Sequence, residues 1–166
     1  MKRWVMMLVI LLASELFVSA TATASDLRTF GPEGMRIIEK ENAGVRFIVA
    51  LWSTDCPPCR RELAMLGAFA VTYPDVPIVL LATDPPDNAK AVVQVLASLQ
   101  PPGADVWQFG DAGAERLRHA IDPGWRGEMP RSYLYSQDGE RVGISGPISQ
   151  DLLEHWLEGS SSERSQ

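Results

Sequence analysis

The sequence predicts an α/β fold in which helices flank both faces of a mixed central sheet. Three observations carry this. Apolar runs of strand length alternate with helical patterns along the chain. Two of these runs, 45–52 and 76–83, are apolar almost throughout, as expected of strands covered on both faces. A hairpin signal, Asp138-Gly139, closes the alternation near the C-terminus. Alternation calls for parallel strands joined by crossover helices, and a terminal hairpin adds an antiparallel pair.

The elements follow in order. Residues 25–31 read as a short leader. From Pro32 to Asn42 the pattern is helical, with Met35, Ile37 and Ile38 among Glu33, Arg36, Glu39 and Lys40, and Ala43-Gly44 ends it. The run 45–52 is the first strand. A second helix spans Pro58 to about Thr72, with Leu63, Leu66, Phe69 and Ala70 on one face. The strand 76–83 gives way to Asp84-Pro85-Pro86-Asp87, a turn and helix-start signal, and then to an apolar helix over 89–99. Pro101-Pro102-Gly103 breaks that helix. A short strand over 105–109 and a helix over 112–121 come next. The loop from Asp122 runs to Met129-Pro130, and strands over 132–135 and 141–144 flank the hairpin turn. A last helix covers 149–157, and the polar stretch 159–166 is expected to be a disordered tail.

The N-terminus stands apart from this domain. Met1-Lys2-Arg3 is basic, Trp4 to Ala13 is uninterruptedly apolar, and Ala22-Thr23-Ala24 fits a small-residue cleavage site. This is the pattern of a secretory signal peptide over residues 1–24. An uncleaved membrane anchor is the alternative, and Glu15 inside the apolar stretch counts against a spanning helix. The 166 residues suffice for one domain with a real core, and the net charge of −6 argues against a nucleic-acid surface.

Chemistry concentrates at Cys56-Pro57-Pro58-Cys59, which holds both cysteines of the chain. The motif sits where a strand ends and a helix begins. Unpaired N–H groups and the helix dipole at that end favour the thiolate of the first cysteine, the species that attacks a disulfide. A bridge across two intervening residues closes a tiny loop and stabilises a fold little, so redox exchange explains the spacing better than a structural crosslink does. Pro57 removes a backbone donor near the Cys56 sulfur. A less stabilised thiolate makes a less oxidising pair, which points toward a reductase.

The run from Phe47 through Trp52 to Cys56-Pro57-Pro58-Cys59-Arg60-Arg61-Glu62 resembles the thioredoxin superfamily, and specifically its exported TlpA/ResA-like thiol-disulfide oxidoreductases. Gly127-Glu128-Met129-Pro130-Arg131-Ser132-Tyr133-Leu134, followed by Asp138-Gly139, supports it at the expected distance along the chain. The resemblance implies a thioredoxin-like fold over residues 25–158. It implies that Cys56 is the attacking thiol and Cys59 the resolving thiol, and that Pro130 is a cis-proline facing the pair. Met129 and Pro130 would then meet the substrate with backbone groups, and Trp52 would wall the site. Glu62 matches an acid near the dithiol that exchanges a proton with Cys59. Its alternative is a solvated charge in the first turn of the helix, where acids favour the dipole.

The sequence also departs from the family pattern. Asp55 precedes Cys56 where an aromatic residue is common, and its charge opposes a thiolate, while Arg60 and Arg61 act the other way. Ala50 stands where thioredoxins carry a buried aspartate. Arg131 follows the proline and is expected at the strand surface, with contact to an acidic partner as the other reading. Trp125 is a second candidate wall of the dithiol.

These readings lead to an extracytoplasmic thiol-disulfide oxidoreductase, a protein-disulfide reductase placed in the periplasm or outside the cell envelope. Its redox group is the Cys56–Cys59 disulfide, with no further cofactor and no metal. Its partners would be a client protein with cysteine thiols or a disulfide and a membrane thiol-electron donor, and the chain would act as a monomer. Two other readings remain open: an oxidase or isomerase using the same pair, and a soft-metal carrier binding Cu(I) through two thiolates. A structural zinc site needs four ligands, and the chain has two cysteines.

Overall fold

The computed structural model describes residues 27–159, so the expected leader 1–24 and the segment 160–166 lie outside the described residues. Six strands form one sheet in the order β1-β4-β3-β2-β5-β6: β1 Arg28–Phe30, β2 Phe47–Trp52, β3 Ile78–Ala82, β4 Asp105–Phe109, β5 Arg131–Tyr135 and β6 Arg141–Ser145. Five α-helices surround it: α1 Gly34–Glu41, α2 Pro57–Thr72, α3 Ala89–Leu99, α4 Ala114–Ile121 and α5 Gln150–Gly159. The expected mixed sheet with helices on both faces is therefore present.

Every residue of β2 and β3 is buried, which is why those runs show no polar alternation in sequence. Period-two geometry still sorts their side chains. Ile48, Ala50 and Trp52 join one core with residues of α2, α3 and α5, including both cysteines. Phe47, Val49 and Leu51 join the other, with residues of α1 and α4.

The structure differs from the sequence reading at both ends of the domain. Residues 28–30 are a strand rather than leader. β1 pairs in parallel with β4, Phe30 opposite Phe109, and three residues are too few to show a period. Arg28 ties this edge down through Glu41 and Asp105, both at 2.8 Å, and stacks over Trp107. Gly34 opens α1 because a Cβ there would meet the Phe30 ring at 2.3 Å. At the other end, Gly159 belongs to α5 and not to a tail.

Sheet register builds the site. β2, β3 and β4 run parallel, so their C-terminal ends share one edge, the place where open parallel sheets bind and react. β5 runs antiparallel to β2 with Arg131 opposite Leu51. That register brings Met129-Pro130 to the same edge as the segment leading from Trp52 to Cys56.

Candidate active site

Helix α2 begins at the redox motif. Cys56 is its N-cap, and its sulfur accepts a hydrogen bond from the Cys59 N–H at 3.2 Å. Pro57 and Pro58 occupy the first two helical positions and have no N–H to offer. The Cys59 N–H is thus the one donor of the helix's opening residues aimed at the Cys56 sulfur. The two cysteines form a disulfide with their Cα atoms 5.3 Å apart. Cys56 is 8% exposed and Cys59 1%, so Cys56 is the more accessible of the two residues.

Glu62 follows Cys59 by three residues, one turn further along the same helix face. It is only 4% exposed. Ser132 Oγ donates to one carboxylate oxygen at 2.6 Å and the Ile148 N–H to the other at 3.1 Å. Burial raises its pKa above the ordinary carboxylate value, against the pull of these two donors toward the charged form. The solvated-charge reading of Glu62 is overturned: the carboxylate points into the protein.

The Met129–Pro130 peptide bond is cis. Pro130 is buried, and its carbonyl accepts from the Gly146 N–H at 2.9 Å. Proline has no N–H, so Pro130 can offer a substrate only the remaining lone pair of its carbonyl. The half-buried Met129 has both groups open: its N–H and carbonyl have no hydrogen bond among the described residues. Its side chain packs against both cores.

No family model matches the chain. It is 27% identical over 139 residues to sporulation thiol-disulfide oxidoreductase A of Bacillus subtilis, covering 75% of this chain and 76% of that protein. A solved thioredoxin-related protein from Neisseria meningitidis serogroup B superposes with a TM-score of 0.58 at 21% identity, over 72% of this chain and 87% of that one. A secreted Mycobacterium tuberculosis disulfide oxidoreductase homologous to E. coli DsbE gives 0.54 at 21% identity, over 69% and 81%. The fold is thioredoxin-like, as in these solved structures. The Bacillus relative together with the Cys56–Cys59 pair supports thiol-disulfide oxidoreductase activity.

Within this thioredoxin fold the aromatic and charged candidates divide. Trp52 shares a core with both cysteines but is 1% exposed, so it is a floor beneath the pair and has no surface for a substrate. Trp125 belongs to the other core, its indole N–H bonded to the Glu128 carbonyl at 2.9 Å, and does not wall the dithiol. The Arg131 side chain, 14% exposed, is not a surface residue: it pairs with Asp122 at 3.0 Å and stacks on Tyr133. Asp55 is exposed, and the Arg60 guanidinium reaches back to the Thr54 carbonyl at 2.9 Å. Ser132, Ile148, Thr54 and Asp84 are site residues that sequence reasoning missed. Their signal was positional: Ser132 lies two residues after the proline, and Thr54 and Asp84 follow the ends of adjacent parallel strands.

Proposed function

We propose that this chain is an extracytoplasmic protein-disulfide reductase working through Cys56 and Cys59. The observation that carries the direction is the proline pair at the start of α2, which leaves the Cys59 N–H as the donor facing the Cys56 sulfur. A thiolate with few donors is weakly stabilised, and a pair whose reduced form is weakly stabilised gives up its electrons readily.

In the reaction, the Cys56 thiolate attacks one sulfur of a client disulfide. A mixed disulfide forms and the first client thiolate leaves and takes up a proton. Cys59 then loses its proton and attacks the Cys56 sulfur, expelling the second client thiolate. Two electrons have passed to the client, and the Cys56–Cys59 disulfide remains. Glu62, one turn beyond Cys59, would accept that proton in its ionised form, and its raised pKa makes it a stronger base than an exposed carboxylate. Met129 would pair its free backbone groups with the client strand beside the sulfur. A membrane thiol-electron donor returns the pair to the dithiol, the leader 1–24 directs export, and the chain works as a monomer.

The deciding experiment is the equilibrium reduction potential of the Cys56–Cys59 pair at neutral pH. A value near about −270 mV supports the reductase. A value near about −120 mV would make the protein a disulfide donor instead.

A further inference from the structure

Thr54 lies two residues before Cys56, and each of its polar groups is held. Its N–H donates to Asp84 Oδ2 at 3.0 Å and its hydroxyl to Asp84 Oδ1. Its carbonyl accepts from Arg60 Nη2 at 2.9 Å. Asn88 Nδ2 bridges the cluster, donating to Asp84 Oδ1 at 2.6 Å and to Thr54 Oγ1 at 3.0 Å. Gln108 Nε2, from the next strand, donates to the Asp84 carbonyl at 3.3 Å and to that of Pro85.

Thr54, Asp84 and Gln108 are all buried. A buried carboxylate is costly unless donors surround it, and here each donor to the Asp84 carboxylate comes from Thr54 or Asn88. A carboxylate sequestered this way fixes whatever supplies its donors. Arg60 directly follows Cys59. Thr54 is therefore fastened to the end of β3 on one side and to the first turn of α2 on the other. These contacts span the Cys56–Cys59 loop from its two flanks.

We propose that Asp84 is a positioning residue for the redox pair: acting through Thr54, it holds the Cys56 segment where its sulfur meets that of Cys59, and so sets how readily the disulfide closes. The effect is one of effective concentration. When the disulfide opens, the Asp84–Thr54–Arg60 contacts keep the two thiols near their closed arrangement, and closure then costs less conformational freedom. Loosening them lowers the closure constant and makes the pair more oxidising. The proposal rests on the redox reading of the cysteines.

The test measures the thiol–disulfide equilibrium of the full chain against glutathione for wild type, Asp84→Ala, Asp84→Asn and Thr54→Val. Melting of the oxidised and reduced forms is followed alongside. Asp84→Ala should lower the closure constant about tenfold, a rise in potential of about 30 mV. It should also lower the melting temperature of the oxidised form more than that of the reduced form. Thr54→Val should move the potential the same way by less, and Asp84→Asn, which keeps an acceptor for the Thr54 N–H, should recover part of the loss. A wild-type potential in the folded variants, or a lower one, overturns the proposal and leaves Asp84 a residue of general stability. If Asp84→Ala does not fold, Thr54→Val decides. A wild-type pair that fails to cycle between dithiol and disulfide would sink the redox reading itself, an outcome separate from unchanged potentials in the variants.

Discussion

Ser132 Oγ donates to Glu62 Oε1 at 2.6 Å, joining strand β5 to helix α2 across 70 residues of chain. The bond puts a hydroxyl from just beyond the cis peptide bond onto the acid one turn past Cys59. Ser132 lies opposite Ala50 in the sheet, and the small alanine is the strand neighbour of the hydroxyl that Glu62 uses. A buried carboxyl is thus present on the dithiol side of the sheet although β2 itself carries none.

Glu62 predicts an unusual pH dependence of stability. Its folded pKa is raised by burial. Between the unfolded and folded values the native state holds more protons than the unfolded state, so stability falls as pH rises through that window. Glu62→Gln should flatten this slope in urea unfolding as pH rises above the ordinary glutamate range. Ser132→Ala should steepen it, because one donor to the charged form is gone, and should cost about 1–3 kcal/mol at neutral pH. Unchanged slopes in both variants would remove Glu62 as a titrating group of the fold.

The redox pair, the two central strands, the hairpin and the proline loop were legible because each rests on local signals: a cysteine spacing, an apolar run, Asp138-Gly139, Met129-Pro130. Glu62 was legible as a residue but not as a buried one, since its burial depends on Ser132 and Ile148, 70 and 86 residues away. Nothing local in the sequence pairs Thr54 with Asp84; the parallel register of β2 and β3 brings them together. Arg131 looked like a surface charge because β5 sits near the sheet edge, but Asp122 returns from the end of α4 to cover it. The missed strand β1 is three residues held by pairing with β4 rather than by any pattern of its own.

Asp122 is the anchor of that second cluster. It accepts from the Gly124 N–H at 2.8 Å, the Tyr133 hydroxyl at 2.9 Å and Arg131 at 3.0 Å. Burial pushes its pKa up, but these donors outweigh it and hold the carboxyl below the usual aspartate value. Burial also raises the Tyr133 phenol to about 12, so it stays a donor. Asp122→Ala should destabilise the protein by about 1–3 kcal/mol at neutral pH. The stabilisation is present above the ordinary aspartate pKa and lost as pH falls through the depressed folded value, so thermal melts of variant and wild type should converge in strong acid.

Gly143 in β6 leaves room for the same arginine. A Cβ there would lie 2.3 Å from Arg131 Nη2, 2.9 Å from its Cζ and 3.0 Å from the Tyr133 ring. Gly143→Ala should push the guanidinium aside and weaken its contact with Asp122, and should lower the unfolding free energy by up to about 1 kcal/mol. The double variant Gly143→Ala with Asp122→Ala should cost less than the sum of the two, because both break one contact. Strict additivity would show that Arg131 accommodates the methyl without leaving its partner.

The unequal exposure of the cysteines supports the proposed order, with Cys56 attacking first. Cys56 is 8% exposed, while Cys59 at 1% is enclosed in the core and is bonded to Cys56. Cys59→Ser should therefore still attack a client but fail to release it. The variant should accumulate as a mixed disulfide visible on non-reducing gels, with turnover down at least about 100-fold, because release then depends on a thiol from solution instead of one held in place. Cys56→Ser should form no adduct. The opposite pattern, with adducts on Cys56→Ser and none on Cys59→Ser, would reverse the assignment and make the buried sulfur the nucleophile.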